Sequence, residues 1–246
     1  MMPLVALRDV SVAFPLYDAL RRSLKRRLLG RGGGAGERMT ATALDGVTLD
    51  LAAGTRLAVL GGNSSGKTTL LRVIAGLVAP CSGQASVAGR VGAVFGMGFG
   101  FHPDATLNGL ALGQALLAGY SPREARDRAH EMLSFAEIAE RAGSAPVSAA
   151  PPGLVTRLGL AASLIPRCDI LVLDEVLERI DPPFLAKVVE ALAAPAFASA
   201  ILVVVERSQA ILGSLCREAI VVDGGRLTAR GSLADVLGAE GKPLTF

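Results

Sequence analysis

The chain has 246 residues, a hydrophobic fraction of 51% and a formal net charge of +3. This length is enough for one large domain, or for one core that carries an inserted subdomain. The net charge is too small to argue for nucleic acid as a partner. The longest apolar stretch, residues 191–205, is interrupted by Pro195 and Ser199, which excludes a membrane-spanning helix there.

Strand and helix patterns alternate along the chain. Apolar runs bounded by glycine or polar residues predict strands at residues 4–14, 47–51, 56–60, 169–174 and 201–205, and a hairpin of residues 219–223 and 226–229. The glycine-rich residues 89–100 are predicted to be a strand that leaves into a loop. Helices are predicted at residues 70–77, throughout residues 106–165 with a capping box at residues 121–124, and from residue 181 onward. The alternation predicts an α/β chain built on a parallel sheet, as a single domain of residues 1–246 with a helical insertion at about residues 101–165.

A phosphate-binding loop follows the predicted strand at residues 56–60. The sequence from Gly61 to Thr68 fits G-x-x-x-x-G-K-[ST], with a strand before it and a helix after it. In such a loop the backbone N–H groups surround the phosphates, Lys67 reaches the β- and γ-phosphates, and the Thr68 hydroxyl ligates magnesium. The sequence therefore predicts a site for ATP and Mg²⁺ made by Gly61, Gly62, Asn63, Ser64, Ser65, Gly66, Lys67, Thr68 and Thr69.

Two acidic residues, Asp174 and Glu175, end the apolar run 170–173. A carboxylate at the tip of a strand beside a phosphate loop is placed to hold magnesium, which is the role predicted for Asp174. The next carboxylate is placed to polarise the attacking water, so Glu175 is the predicted general base.

With these motifs the chain resembles the ATP-binding subunits of ABC transporters, and among them the branch that serves polysaccharide export. Residues 98–103 read Gly-Phe-Gly-Phe-His-Pro and are similar to a loop of the O-antigen exporters. Asp181, six residues after Glu175, matches the family's D-loop aspartate. Further segments that carry the resemblance are residues 10–17, 43–47 and 223–227.

The resemblance implies a P-loop NTPase core of the ABC type with an antiparallel β subdomain and an inserted helical subdomain. It also implies that the chain is peripheral, on the cytoplasmic face of the membrane. Two such nucleotide-binding subunits, identical or different, would enclose two ATP molecules between them and drive a transmembrane permease subunit. Nucleic acid is not an expected partner. The longer O-antigen subunits add a C-terminal carbohydrate-binding domain, which is not expected in this chain.

Several positions depart from the family pattern. The signature that precedes a helix falls at Pro151-Pro152-Gly153, where the prolines remove a hydroxyl and two backbone N–H donors. Arg207 stands where a switch histidine is expected, and Gly96 where the family has Gln or Glu. Ser64 replaces a glycine of the phosphate loop. We therefore expect ATP binding with slow hydrolysis, and Asp181, Gly153 and Arg207 are the residues predicted for the dimer and γ-phosphate region.

Two rival functions follow from the same sequence. One is a hydrolysis-impaired regulatory subunit paired with a competent partner, and the other is a soluble ABC ATPase that acts on DNA or ribosomes. The second lacks support, because the chain has no coiled-coil insertion or tandem second domain. The basic segment at residues 18–31 fits either a solvated face or a helix that lies near anionic lipid.

His102 belongs to the family-like loop and is predicted to face the transmembrane partner. Cys81, Cys168 and Cys216 lack the spacing of a metal site or a disulfide framework and are predicted to be small core residues.

Overall fold

A computed structural model describes residues 4–15, 40–96 and 104–239. The strands are β1 (Leu4–Pro15), β2 (Thr40–Ala52), β3 (Arg56–Leu60), β4 (Ser82–Ala88), β5 (Val91–Phe95), β6 (Ile170–Asp174), β7 (Ile201–Val205), β8 (Glu218–Asp223) and β9 (Arg226–Ser232). The α-helices are α1 (Lys67–Ile74), α2 (Leu107–Leu117), α3 (Pro122–Phe135), α4 (Glu140–Gly143), α5 (Pro152–Leu164), α6 (Pro182–Ala193), α7 (Gln209–Leu215) and α8 (Leu233–Ala239). Turns of 3₁₀ helix lie at Val147–Ala149, Leu177–Arg179 and Pro195–Phe197.

A six-stranded sheet in the order β5-β6-β7-β3-β8-β9 carries the functional site. Neighbouring strands from β5 to β8 are parallel, and the edge pair β8–β9 is antiparallel. All five residues of β6 and of β7 are buried. Continuous apolar runs suit this position, because a parallel sheet is covered by other elements on both of its faces.

The two faces of this sheet enter different hydrophobic clusters. Leu57 and Val59 of β3 pack in a cluster with α1 and the antiparallel sheet, whereas Ala58 and Leu60 pack in a cluster with α5, α6, α7 and α8. This alternation is the period of two that a β-strand imposes on its side chains. The phosphate loop thus leaves a strand that is fixed from both sides.

A second, antiparallel sheet has the order β2-β1-β4. Its central strand, β1, buries Val5, Leu7 and Val10 against the cluster that contains α1. The edge strand β4 has no fully buried residue, and its first five residues are exposed. The sequence did not predict β4, because without a buried face it shows no apolar alternation.

The helices α2, α3 and α5 form a separate layer with its own apolar cluster. Thr106 caps α2 by accepting a hydrogen bond from the N–H of Gly109, and Ser121 caps α3 in a full capping box with Glu124. No helix in the described ranges is long and apolar enough to cross a membrane.

The predicted α/β class with a parallel core sheet, an antiparallel sheet and inserted helices is confirmed. The helix placed at residues 70–77 is wrong by three residues at each end, since it begins at Lys67 and ends at Ile74. The strand placed at residues 47–51 extends over Thr40–Ala52. The single-domain assignment stays a prediction. The basic segment 18–31 and the loop with His102 lie outside the described residues.

The three cysteines do not share one environment. Cys168 and Cys216 are buried as predicted, and burial raises the pKa of each thiol to about 12. Cys81 is exposed, which contradicts its assignment to the core. It lies just before the edge strand β4, where the antiparallel sheet meets solvent.

We expect Ser121→Ala to lower the free energy of unfolding by about 1 kcal/mol, because the Glu124 N–H loses the serine hydroxyl as its acceptor, while the bond from the Ser121 N–H to the Glu124 side chain remains. Urea denaturation measures this change. Ser134→Ala, an exposed position near the other end of α3, is the matched control and should stay within about 0.5 kcal/mol of the parent. Equal losses in both variants would contradict the role of the cap.

Candidate functional site

The carboxyl ends of β3, β5, β6 and β7 meet at one edge of the parallel sheet. Asp174, the last residue of β6, pairs with Phe95 of β5 on one side and with Val205 of β7 on the other. A cavity of about 330 Å³ opens at this edge. Its lining residues are Ala43, Asn63, Ser64, Ser65, Gly66, Lys67, Thr68, Thr69, Arg72, Phe95, Gly96, Asp174, Glu175, Arg179 and Arg207.

Close backbone contacts fix the phosphate loop. A Cβ atom on Gly61 would lie 2.1 Å from the carbonyl oxygen of Val222, and one on Gly66 would lie 2.4 Å from that of Ala43. Both glycines also have a positive φ, 139° and 111°. Only glycine satisfies both conditions, so these two positions are glycine because of packing and backbone conformation together.

The β8–β9 hairpin holds the loop from the other side. The N–H of Gly225 donates to the carbonyl of Ser65 at 2.9 Å, and the N–H of Asp45 donates to the carbonyl of Gly225 at the same distance. The Ser65 hydroxyl lies buried with no hydrogen-bond partner in the described ranges. The loop therefore keeps a buried hydroxyl group whose hydrogen-bonding capacity these residues do not use, as expected of a site for a polar ligand.

Lys67 turns its ammonium group onto the loop. Its Nζ donates to the carbonyls of Gly61 and Gly62 at 2.8 and 2.7 Å. Burial lowers its pKa, and the nearby Glu175 and Asp174 partly oppose that change. An anionic group in the cavity would add to this opposing effect and favour the charged ammonium.

Thr68 and Asp174 meet across the cavity. Burial raises the pKa of the Asp174 carboxyl, while a hydrogen bond from Thr68 acts in the opposite direction. Asp174 is 7% exposed. A hydroxyl and a carboxylate held together at the mouth of a phosphate loop are oxygen ligands of the kind that Mg²⁺ binds.

Glu175 and Arg207 form an ion pair at the edge of the same cavity. Arg207 Nε lies 3.6 Å from Glu175 Oε1, and the two side chains are 49% and 38% exposed. A pair so exposed contributes little to stability. Its relevance is positional, because the pair keeps a cation and a carboxylate side by side beside the phosphate loop.

Glu206, the residue before Arg207, carries a buried carboxyl group and is 3% exposed. Its Oε1 accepts the N–H of Leu177 at 2.6 Å, while Oε2 has no partner in the described ranges. Burial raises its pKa to about 7, and the backbone hydrogen bond from Leu177 only partly opposes this. Glu206 thereby ties the end of β7 to the 3₁₀ turn that follows Glu175.

Comparison with known proteins agrees with this arrangement, since the family profile described as ABC transporter matches residues 44–178. The chain belongs to the ABC transporter family. It is 30% identical to the O-antigen export system ATP-binding protein RfbE of Yersinia enterocolitica, over 89% of this chain and 93% of that protein. It is also 30% identical to RfbB of Myxococcus xanthus over 96% of this chain, but it spans only 55% of that longer relative.

Solved structures show the same fold. The dimeric, post-hydrolysis ATP-binding cassette MJ0796 with ADP and Pi has a TM-score of 0.74 and 20% identity, covering 93% of this chain and 98% of that one. The family profile and the O-antigen export relatives confirm the resemblance predicted from the motifs. The chain is an ATP-binding subunit of an ABC transporter.

The predicted D-loop and signature residues of this ABC subunit lie outside the phosphate cavity. Asp181 precedes α6 and forms an ion pair with Arg157, which also pairs with Glu137 at 3.1 Å. The hydrogen bond from Arg157 lowers the pKa of the Asp181 carboxyl. Gly153 lies in the first turn of α5. Within one chain, the structure therefore does not bring Asp181 and Gly153 to the phosphate loop.

The helix behind the altered signature forms despite its prolines. Pro151 occupies the N-cap of α5 and Pro152 its first position, with no side-chain cap. The missing N–H groups at these positions would have no partner within the helix, so the helix tolerates them. Its N-terminus nevertheless offers fewer donors to an anion than a serine-glycine start would.

Several residues of the site were not predicted from the sequence, among them Ala43 and Phe95, which line the cavity. Arg72 and Arg179 line the cavity as well, and Glu206 is buried. Arg72 lies on α1, four residues after Thr68 and outside the phosphate-loop motif, and its guanidinium carbon lies 5.9 Å from the centre of the Phe95 ring. A polar residue that ends a buried strand was a usable signal for Glu206, since it directly follows the apolar run of β7.

Ser64→Gly should stabilise the protein by about 0.5–1 kcal/mol without weakening ATP binding. Ser64 has φ 60°, a left-handed conformation that costs a non-glycine residue about 1–2 kcal/mol, partly offset by the greater freedom of glycine in the unfolded chain. Thermal unfolding with and without ATP measures both effects. As a control, Ser82→Gly tests an exposed serine whose φ is not positive and should not stabilise. A destabilised Ser64→Gly would contradict the strain.

Glu206→Gln should make the protein more stable at pH 8 by up to roughly 3 kcal/mol, given a rise in pKa from 4.5 to about 7. The folded state holds this proton more tightly than the unfolded state does. Stability of the parent therefore falls as the pH rises from about 4.5 to about 7, and this loss is complete above that range.

Urea denaturation between pH 5 and pH 8, as order-of-magnitude settings around that window, measures this dependence. The glutamine keeps an acceptor for the Leu177 N–H but cannot ionise, so its stability curve should be flatter than that of the parent. Glu190→Gln, at an exposed position, should retain the slope of the parent. Parallel curves for all three proteins would disprove the assignment of the buried proton.

Proposed function

We propose that this chain is the ATP-binding, energy-coupling subunit of an ABC exporter for a polysaccharide or glycolipid, and that it hydrolyses ATP in a dimer. The observation that carries the ATPase part is the single cavity that holds the phosphate loop, the Thr68–Asp174 pair and Glu175. The substrate class is supported by the O-antigen export relatives, which cover most of the chain.

The residues predicted to hold the nucleotide are those of the loop 61–69. Gly61 and Gly66 set its backbone path, and Lys67 lies with its ammonium on the loop carbonyls. We infer that the triphosphate replaces those carbonyls as the partner of Lys67. The charged ammonium is then stabilised by phosphate, which offsets the desolvation that lowers its pKa.

Magnesium fits the oxygen pair formed by Thr68 and Asp174. When bound, Mg²⁺ neutralises part of the charge on the phosphates. Occupation of this site requires the ionised carboxylate, and a bound cation would favour that form, against the burial that raises the pKa of Asp174. Thr68 would need no such change, because a neutral hydroxyl oxygen can coordinate a metal ion without losing its proton.

Glu175 is the proposed general base. Its carboxylate borders the cavity, where it can accept a hydrogen bond from the attacking water. Arg207, 3.6 Å away, would lie between this carboxylate and the γ-phosphate and bind either. A cation shared in this way stabilises phosphate charge but also weakens the base, which supports slow turnover.

A second subunit is part of this proposal. Asp181 and Gly153 do not line the cavity of their own chain, and by family resemblance they face the ATP bound to the partner subunit. The prolines at 151 and 152 then supply fewer donors to that γ-phosphate, and one lost donor costs about a hundredfold or more in rate. We therefore expect tight binding and low turnover in the isolated dimer.

The purely regulatory alternative is not favoured. Asp174, Glu175 and Arg207 all border the phosphate cavity, so this chain retains groups for chemistry as well as for binding. The curated relatives are described as ATP-binding proteins of export or import systems. Our proposal places the chain on the cytoplasmic face of the membrane, beside a transmembrane permease subunit and away from nucleic acid.

Lys67→Ala should weaken ATP binding on the order of ten- to a hundredfold, because the phosphates lose their charged donor. Glu175→Gln should leave binding nearly unchanged and slow turnover about a hundredfold or more. Fluorescent-nucleotide titration and phosphate release by the purified chain measure the two quantities. Glu178→Gln, an exposed neighbour that does not line the cavity, is the control and should match the parent in both.

Each outcome separates the possibilities. Lys67-dependent binding with turnover above that of Glu175→Gln supports an active subunit. Binding without turnover above that level supports the regulatory alternative, and binding that survives Lys67→Ala would disprove the proposed nucleotide site.

Affinity purification of the tagged chain from its own cells tests the exporter assignment. We expect an integral membrane protein to co-purify in a fixed ratio, with no enrichment of nucleic acid. Ribosomes or DNA in place of a membrane protein would overturn it.

A further inference from the structure

The missing side chain at Gly96 leaves a space that an arginine fills. Gly96 follows β5 at the cavity edge, and a Cβ atom built on it would lie 2.9 Å from Nη2 of Arg179 and 3.0 Å from its Cζ. Arg179 ends the 3₁₀ turn Leu177–Arg179, far from Gly96 in sequence. Gly96 does not have a positive φ, so its backbone does not require glycine. A methyl group at this position would therefore require the guanidinium of Arg179 to move.

Arg179 uses this room to join two backbone segments. Its Nε donates to the carbonyl of Glu175 at 2.9 Å, and its Nη1 donates to the carbonyl of Gly96 at 2.6 Å. These two donors belong to one planar guanidinium, so the distance and direction between the two carbonyls are fixed together. A lysine, with one nitrogen on a flexible chain, cannot reproduce this fork.

The residue that Arg179 holds is itself in an unusual conformation. Glu175 has φ 50°, in the left-handed region that a non-glycine residue adopts only at a cost. Its N–H donates to the carbonyl of Val205 at 2.8 Å, and its carbonyl accepts from Arg179. The Glu175 backbone is therefore held on both sides, by the end of β7 and by the arginine.

We propose that Arg179 is a positioning residue for Glu175, and that the absence of a side chain at Gly96 gives the Arg179 guanidinium the space it occupies. Through the Glu175 carbonyl, Arg179 holds the backbone in the conformation that directs the carboxylate along the cavity edge. The inference rests on the proposed role of Glu175 in ATP hydrolysis. Arg179 acts on rate and not on nucleotide affinity, because its hydrogen bonds go to the backbone beside the phosphate loop and not to the loop.

A double-mutant cycle of Gly96→Ala and Arg179→Ala tests the proposal. The added methyl group displaces the guanidinium, so each single variant should lower the single-turnover rate of ATP hydrolysis about tenfold, with ATP affinity within about threefold of the parent. The double variant should be no slower than Arg179→Ala alone. Arg179→Lys should behave like Arg179→Ala, because it keeps the charge and loses the fork.

Matched controls are Gly113→Ala, where a Cβ atom meets nothing within 4 Å, and Arg123→Ala, at an exposed position on α3. Both should hydrolyse ATP at the parent rate. Three results would overturn the proposal: a normal rate in Arg179→Ala, rate losses that multiply in the double variant, or an affinity loss as large as the rate loss.

A second measurement needs no turnover. In the ¹⁵N–¹H spectrum of the whole protein, the Arg179 Nε–H should exchange slowly with solvent, and Gly96→Ala should abolish that protection. If the parent does not hydrolyse ATP above the level of Glu175→Gln, the proposed ATPase function fails while this experiment still decides the contact. An Arg179 Nε–H that exchanges as fast as that of Arg123 would refute the contact itself.

Discussion

The parallel pairing of β3, β7 and β6 is the constraint on which the site depends. It places the end of β6, with Asp174, level with Val205 at the end of β7. It also places the start of the phosphate loop at the same sheet edge, because β7 pairs with β6 on one side and with β3 on the other. A shift of one residue in β6 would turn Asp174 to the opposite face and remove it from Thr68. The buried apolar side chains of these strands therefore determine the geometry of polar groups that they do not touch.

The sequence was most informative where one local pattern was sufficient. The strands Arg56–Leu60 and Ile201–Val205 lie at their predicted bounds, and the capping box of Ser121 is present. The strand Ser82–Ala88 was not predictable, because it is held by pairing with β1 and has no apolar face. The contact between Gly96 and Arg179 could not be inferred either, since it joins residues that only the fold brings together.

Residues with unfavourable local energies surround this ABC site. Ser64 and Glu175 both have left-handed backbones, and Glu206 is a buried carboxyl group with one unpaired oxygen. Such features persist where the surrounding structure over-determines them, and they concentrate at functional sites. Here the surrounding structure consists of the β8–β9 hairpin, which is hydrogen-bonded to the phosphate loop, and Arg179, which is hydrogen-bonded to the backbone of Glu175. Part of the stability gained in the two large apolar clusters is thus offset at the cavity.

The unequal exposure of the cysteines makes the protein a natural candidate for site-directed spectroscopy. Cys168 and Cys216 have thiol pKa values of about 12 and are shielded, so thiolate-directed reagents should leave them unmodified. Cys81 is exposed and lies in the segment between α1 and the edge strand β4. The antiparallel sheet that contains β4 packs against α1, the helix that follows the phosphate loop. A maleimide fluorophore or spin label would therefore attach at one defined point of the unaltered chain. In an assembly of two copies, the separation between the two labels would follow the approach of the subunits directly.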